Sequence, residues 1–129
     1  MIGTQEEAST LLNSVVVLLV DDEAPVRRAI TRLLQRYGYE VLQAENGARA
    51  LEMLNGDDRI KAVLLDQAMP SGSGASYAPR LRALKPEVPL IFHTGQQVAP
   101  EHRALVDDVL LKPASPEALV AMLDRWVKR

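Results

Sequence analysis

Four short apolar runs of this chain each end in a residue that handles phosphate or a divalent cation. Val15–Val20 runs into Asp21 and Asp22, residues 62–65 end at Asp66, residues 90–92 lead through His93 to Thr94, and residues 109–111 end at Lys112. In an open parallel sheet, ligands sit beyond the carboxyl ends of the strands, so residues far apart in sequence converge there. Three carboxylates brought together repel one another and either take up a proton or hold a cation. An all-oxygen cluster suits Mg²⁺, which keeps several waters and is held by one or two carboxylates plus phosphate oxygens. Lys112 adds a point charge able to pair with a carboxylate or phosphoryl oxygen, and Thr94 adds a hydroxyl donor. One of the carboxylates can then act as a nucleophile toward phosphorus and form an aspartyl phosphate.

The elements that must position these tips are legible as alternating strands and helices. Val26, Ile30, Leu33, Leu34 and Tyr37 recur at helical spacing and Gly38 supplies a stop, which predicts an amphipathic first helix. Residues 39–43 read as a second strand and 48–54 as a second helix closed near Gly56, before the third strand reaches Asp66. Residues 69–74 form a turn-rich loop, and 75–84 a third helix whose first turn accommodates Pro79 and which Pro86 helps to end. The fourth strand is expected over 88–93, a short fourth helix over 100–106 and the fifth strand over 109–111. Ser115 is the expected N-cap of a last helix, with Pro116 at its first position and Leu119, Met122, Leu123 and Trp126 as its apolar stripe. Alternating β and α units with right-handed crossovers imply an α/β, doubly wound five-stranded parallel sheet covered on both faces.

Asp21-Asp22, Asp66 with Met69-Pro70, Thr94-Gly95 and Lys112-Pro113 together resemble the receiver domain of two-component response regulators, in order and spacing, over nearly the whole chain from Val15. The resemblance implies a flavodoxin-like receiver fold with strand order 2-1-3-4-5, the order of the family's chemotaxis member. It also implies roles: Asp66 as phospho-acceptor, Asp21, Asp22 and Asp66 as Mg²⁺ ligands with the backbone carbonyl of Ala68, and Asp22 as the direct ligand of the first pair. Lys112 would pair with Asp66 and then with a phosphoryl oxygen, and Thr94 would move to donate to the phosphoryl group. The donor would be the phosphohistidine of a histidine kinase or a phosphotransfer domain. Ala68 and Gln96 occupy the places that tune phosphate lifetime in this family; Ala68 has no side chain to position water, so Gln96 is expected to affect autodephosphorylation.

The departures from the family pattern concern output. Val109 stands where many receivers place an aromatic residue that swings inward with the Thr, so an aromatic-coupled switch is not expected. Ala114 replaces a usual Phe after Lys112-Pro113, and the stretch from Thr94 to Lys112 is shorter than usual by roughly one helical turn. The surface made by the fourth helix, fifth strand and last helix, where many regulators dimerise, must be reshaped accordingly.

Length and composition agree with this resemblance, which implies a signalling domain rather than an enzyme, without adding much to it. The 129 residues suit one ordinary domain, with 47% apolar and 25% charged residues. A net charge of −2 gives no general attraction to nucleic acid, and no apolar run is long enough for membrane insertion. The absence of Cys excludes disulfides and thiolate metal sites. Residues 1–14 read as a polar leader or linker remnant, with a helical turn or two over 6–12, and residues 15–129 as the receiver domain. The expected protein is cytoplasmic and works with its kinase, a downstream protein or a second copy, either as a stand-alone regulator or as the receiver of a hybrid sensor kinase. The rival reading is a receiver-like interaction module that works without phosphorylation, against which the costly cluster of like charges argues. A metal-dependent phosphatase would need a second acid/base group that the sequence does not offer.

Other polar residues receive plainer readings. Glu23 is a favourable charge near the first helix N-terminus, and Ser71-Gly72-Ser73-Gly74 is a flexible connection lacking a P-loop Lys. His93 and His102 are expected at the surface or an edge, and Trp126 in the core by default, with a wet edge at a partner surface as its second reading. Arg27, Arg28, Arg32 and Arg36 form a solvated face of the first helix, which in this family also docks the kinase.

Overall fold

A computed structural model describes residues 14–69 and 72–127. The expected leader, apart from Ser14, lies outside the described residues, as do Pro70 and Ser71. The chain alternates β1 (Val15–Val20), α1 (Ala24–Arg36), β2 (Tyr39–Ala44), α2 (Gly47–Gly56), β3 (Ile60–Leu65), α3 (Gly74–Leu84), β4 (Leu90–Thr94), α4 (Pro100–Arg103), β5 (Asp108–Leu111) and α5 (Pro116–Val127). The strands form one five-stranded sheet in the order β2-β1-β3-β4-β5, and every neighbouring pair is parallel. Among the described residues no helix is long and apolar enough to cross a membrane.

The near-continuous apolar strands follow from burial on both faces, as parallel sheets require. On one face Val17, Leu19, Ala62, Leu64 and Ile91 pack with Ile30 and Leu34 of α1 and Leu119, Val120 and Leu123 of α5. On the other, Leu18, Val20, Val63, Leu65 and Phe92 pack with Ala50 and Leu54 of α2 and Ala75, Ala78 and Leu81 of α3. Truncating a buried Leu such as Leu34 or Leu123 to Ala in such a core costs about 2–5 kcal/mol.

Turn chemistry sets the entry and exit angles of the helices. Gly38 takes φ 91° after α1, and its N–H donates to the Gln35 carbonyl, a conformation that suits a residue without Cβ. Ser73 caps α3 by accepting from the Ser76 N–H, and the Ser115 hydroxyl accepts from the Ala118 N–H at 3.1 Å, as its position before Pro116 predicts.

Three sequence expectations are corrected. Pro79 falls in the second turn of α3, beyond the first-turn orphan N–H groups, because the helix already begins at Gly74; its ring removes the N–H that would reach the Ala75 carbonyl. His93 is buried, not at a surface or edge, because β4 lies between β3 and β5 and is covered on both sides. Trp126 is 36% exposed, so its default core reading gives way to the wet edge, and its indole N–H donates to Asp108 at 2.9 Å.

Candidate functional site

Strand register brings the carboxylates together. Val20 pairs with Leu65, and the Asp66 N–H donates to the Val20 carbonyl at 3.0 Å, so Asp21 and Asp66 leave adjacent strands side by side. Carboxylate oxygens of Asp21, Asp22 and Asp66 all lie within 4.8 Å of one another. Asp21 and Asp66 are buried and Asp22 is half-buried. At the other side of the sheet's C-terminal edge, Thr94 pairs with Leu111, and the Lys112 N–H donates to the Thr94 carbonyl at 2.8 Å. The Lys112 side chain then reaches back, its Nζ lying 2.7 Å from Asp21 Oδ2 and 3.7 Å from Asp66 Oδ2.

The backbone fixes what the side chains do not. Asp21 Oδ1 accepts from the Glu23 N–H at 2.9 Å, and Asp66 Oδ1 accepts from the Ala68 N–H at 3.2 Å. Thr94 is wholly buried and its hydroxyl oxygen accepts from the Gln96 N–H at 3.3 Å. Glu23 is the N-cap residue of α1 but makes no side-chain cap bond.

Burial dominates the electrostatics. It pushes the Asp66 carboxyl above the ordinary carboxylate value; Lys112 and the Ala68 N–H pull the other way, while Asp21 and Asp22 add to the rise. Burial also disfavours the charge on Lys112, but the hydrogen bond to Asp21 and the charges of Asp66, Asp21 and Glu23 outweigh it and hold the ammonium above its usual value. His93 is pushed down to about 4, first by burial and then by the Lys112 charge, against the pull of Asp21, so its ring is neutral near pH 7. Three carboxylates against one ammonium leave an excess of negative charge in a largely buried oxygen cage, and this donor set fits a hard divalent cation such as Mg²⁺.

All of Asp21, Asp22, Asp66, Thr94 and Lys112 thus lie at the tips of four strands on one edge of the sheet. Three contributors escaped the sequence reading. Arg27 is not merely part of a solvated face: its Nη1 donates to the Asp21 backbone carbonyl at 2.6 Å, while Arg28, Arg32 and Arg36 are exposed. Gly74 is not part of a loose connection: a Cβ there would stand 2.4 Å from the Asp66 backbone oxygen, and its N–H donates to the Gln67 carbonyl at 2.9 Å. The clue was its place at the end of a Gly-Ser run, where glycine permits a close approach of backbone. His102 of α4 lines a cleft of about 480 Å³ together with Asp22, Gln67, Ala68 and Gln96; its position in a short helix gave no sequence signal.

The doubly wound parallel sheet thus carries an acidic triad, a lysine and a buried threonine on its C-terminal edge, a donor set that suits a divalent cation and an anionic oxygen. Comparison with known proteins makes this specific. The family profile described as response regulator receiver domain matches residues 17–124. The chain is 36% identical over 121 residues to the phosphate regulon transcriptional regulatory protein PhoB of Pseudomonas aeruginosa, covering 88% of this chain and 52% of that protein. It is 35% identical over 120 residues to the response regulator MprA of Mycobacterium ulcerans, covering 90% and 51%. The chain therefore spans about half the length of the curated relatives it matches. Among solved structures, the Vibrio cholerae chemotaxis protein CheY4 superposes with a TM-score of 0.80 at 28% identity, covering 88% of this chain and 98% of that one. Response regulator TrrA of Thermotoga maritima, in complex with Mg²⁺ and beryllofluoride, superposes with a TM-score of 0.81 at 28% identity, covering 86% and 97%. The chain belongs to the response regulator receiver domain family.

Proposed function

We propose that this receiver accepts a phosphoryl group on Asp66 from the phosphohistidine of a histidine kinase or phosphotransfer domain. The observation that carries the reading is the convergence of Asp21, Asp22 and Asp66 with Lys112, whose ammonium lies within 4 Å of two of those carboxylates. A carboxylate oxygen of Asp66 attacks phosphorus, the P–N bond of the donor breaks, and its electron pair returns to the donor imidazole. There is little further covalent work for the protein, so catalysis is positioning and charge compensation.

Each side chain has a definite part. The Ala68 N–H holds one oxygen of Asp66, leaving the other toward Lys112. Lys112 favours the ionised acceptor against its burial and then pairs with a phosphoryl oxygen. Thr94 donates its hydroxyl to the phosphoryl group, exchanging its bond with the Gln96 N–H for one with the new anion. The carboxylates of Asp21, Asp22 and Asp66, with the backbone carbonyl of Ala68, would hold Mg²⁺. When bound, Mg²⁺ would supply a divalent charge against which the carboxylates and the incoming phosphoryl oxygens are compatible.

Around the acceptor, Gln96 is the side chain assigned to phosphate lifetime, because Ala68 at the other flank carries no polar side chain. Thr94 acts as the switch without an aromatic partner, since Val109 packs as a partly buried apolar residue beside the core. The reading is the same for a stand-alone regulator and for a receiver carried by a hybrid kinase, because the chemistry is confined to the strand tips. It belongs in the cytoplasm, where such kinases draw on ATP, and residues 15–129 are the proposed extent of the receiver domain.

The test is the intact mass after incubation with acetyl phosphate and Mg²⁺, beside an Asp66→Asn variant and an EDTA control. A phosphate adduct that needs both Asp66 and the metal supports the reading. A folded chain that takes no phosphate from acetyl phosphate or phosphoramidate, and binds neither Mg²⁺ nor beryllofluoride, points instead to an interaction module that works without phosphorylation.

A further inference from the structure

The half-buried ring of Tyr77, in α3, lies against two glycines from other parts of the chain. A Cβ on Gly47, the first residue of α2, would stand 2.2 Å from Tyr77 Cδ2 and 2.3 Å from its Cγ, so the ring fills the space of a side chain at position 47. A Cβ on Gly72, in the β3–α3 connection, would stand 2.9 Å from Tyr77 Cε2. One edge of the ring thus touches both glycines, an approach open only to backbone without Cβ. Arg80 lies over the ring, its guanidinium carbon 5.1 Å from the centroid.

Both glycines belong to segments that hold the acidic cluster. The Gly72 N–H donates to the Met69 carbonyl at 3.2 Å, closing the connection on the residue after Ala68. Ala68 in turn holds Asp66, its N–H donating to Asp66 Oδ1 at 3.2 Å. On the side of Gly47, α2 follows β2, whose last residue, Ala44, accepts from the Asp21 N–H at 3.1 Å. Asn46 caps α2 by accepting from the Arg49 N–H at 2.8 Å. Tyr77 therefore stands between the segment that carries Ala68 and the segment that leads from the backbone partner of Asp21.

We propose that Tyr77 is a positioning residue for the metal site: its ring, wedged between Gly72 and Gly47, keeps the β3–α3 connection, and with it the Ala68 carbonyl, in place for Mg²⁺ beside the carboxylates. The proposal rests on the reading of Asp21, Asp22 and Asp66 as a Mg²⁺ site. Tyr77 acts through the backbone and brings no ligand atom of its own. Gly72 takes φ 136°, which a side chain rarely adopts, whereas Gly47 is not in that region. An Ala at position 47 thus meets the ring without backbone strain, which makes Gly47 the cleaner site for a test.

The experiment titrates the full, unphosphorylated chain with Mg²⁺ by isothermal calorimetry, while urea unfolding in EDTA reports on the fold. Tyr77→Ala is expected to weaken Mg²⁺ binding about tenfold, the lower end of what losing a group that orients metal ligands costs, and Tyr77→Phe, which keeps the ring, to stay within about twofold of the parent. Gly47→Ala should weaken binding about three- to tenfold in the parent, where its methyl displaces the ring, and less than about twofold in Tyr77→Ala, where no ring is left to displace. A ring that serves packing alone would lower stability in EDTA and leave the affinity for Mg²⁺ unmoved. Parental affinities in both Tyr77→Ala and Gly47→Ala overturn the inference while leaving Asp66 as acceptor; should Tyr77→Ala not fold, parental affinities in Tyr77→Leu and Gly47→Ala do the same. A parent chain that binds no Mg²⁺ overturns the reading of the acidic cluster and this inference with it.

Discussion

Replacing Asp66 by Asn should make the metal-free protein more stable, although it removes the central side chain of the site. Asp21 and Asp22 offer oxygens within 4.8 Å of Asp66, and at an effective dielectric constant of about 20 each opposes its charge by about 3.5 kcal/mol. Lys112, at 3.7 Å, returns about 4.5 kcal/mol at the same dielectric constant. The balance is about 2–3 kcal/mol against a charged Asp66, and its desolvation acts in the same direction. Asn keeps an oxygen to accept from the Ala68 N–H, so the exchange removes the charge with little else. For a domain of this size, a gain of about 2 kcal/mol raises the melting temperature by roughly 8 °C. The pH dependence has a fixed sign. Because folding raises the Asp66 value, the penalty is absent while both states are protonated, grows as pH rises from the unfolded value toward the folded one, and is complete above it. The gain of Asp66→Asn should therefore grow as pH rises and fade in acid. Saturating Mg²⁺ should narrow it, since a ligand at a hundred times its dissociation constant stabilises the parent by about 2.7 kcal/mol. The assay is thermal and urea unfolding of both proteins in EDTA and in Mg²⁺. An Asp66→Asn protein no more stable than the parent at pH 7.5 in EDTA would refute the electrostatic reasoning.

Lys112→Met should abolish efficient phosphate uptake and destabilise the metal-free fold by about 2 kcal/mol, allowing for the partial exposure of Lys112, because it strips buried Asp21 of its cation; intact mass and urea unfolding report the two effects. His93→Leu should flatten the acid limb of the stability curve. A ring held at about 4 when folded makes the parent lose about 3 kcal/mol as pH falls from 6.5 to 4, and equal slopes in the two proteins would contradict the burial of His93. Gly74→Ala should slow phosphate uptake and cost about 1–3 kcal/mol, since the added methyl must displace the Asp66 backbone; a variant with parental kinetics would show that this close approach does not hold the acceptor. Gln96→Ala should lengthen the life of the aspartyl phosphate, which decay of the adduct mass measures, and an unchanged lifetime would remove Gln96 from that role.

The strand tips were legible because a parallel sheet forces apolar runs and because chemistry-bearing residues must follow them directly. Asp21, Asp66 and Lys112 could be placed from that alone, and the register of β1 with β3 explains why the two carboxylates end side by side. The helices were legible from their stripes, with boundaries displaced by a residue or two where capping decides them, as at Ser73 and Gly74. What sequence could not show depends on tertiary cover. His93 looks like any polar residue until β4 is seen between two strands and under helices on both faces. Trp126 follows the stripe of α5, yet Asp108 on the edge strand offers its indole N–H a partner at the rim, and the ring stays partly wet. Arg27 shares its helical repeat with three exposed arginines and differs only in lying within reach of the Asp21 carbonyl. His102 of the short α4 lines one cleft with Gln67, Ala68, Met69 and Ser73 of the β3–α3 connection, a tertiary outcome with no local signature.

The central claim is that Asp66, and not Asp21 or Asp22, carries the phosphoryl group. Borohydride reduction of the freshly phosphorylated chain converts the acyl phosphate to homoserine, and fragment-ion sequencing of the digested protein then locates it. Homoserine at position 66, dependent on Mg²⁺ and on prior phosphorylation, is the predicted result. Homoserine at position 21 or 22, or none from a chain that carries the phosphate mass, would contradict the account.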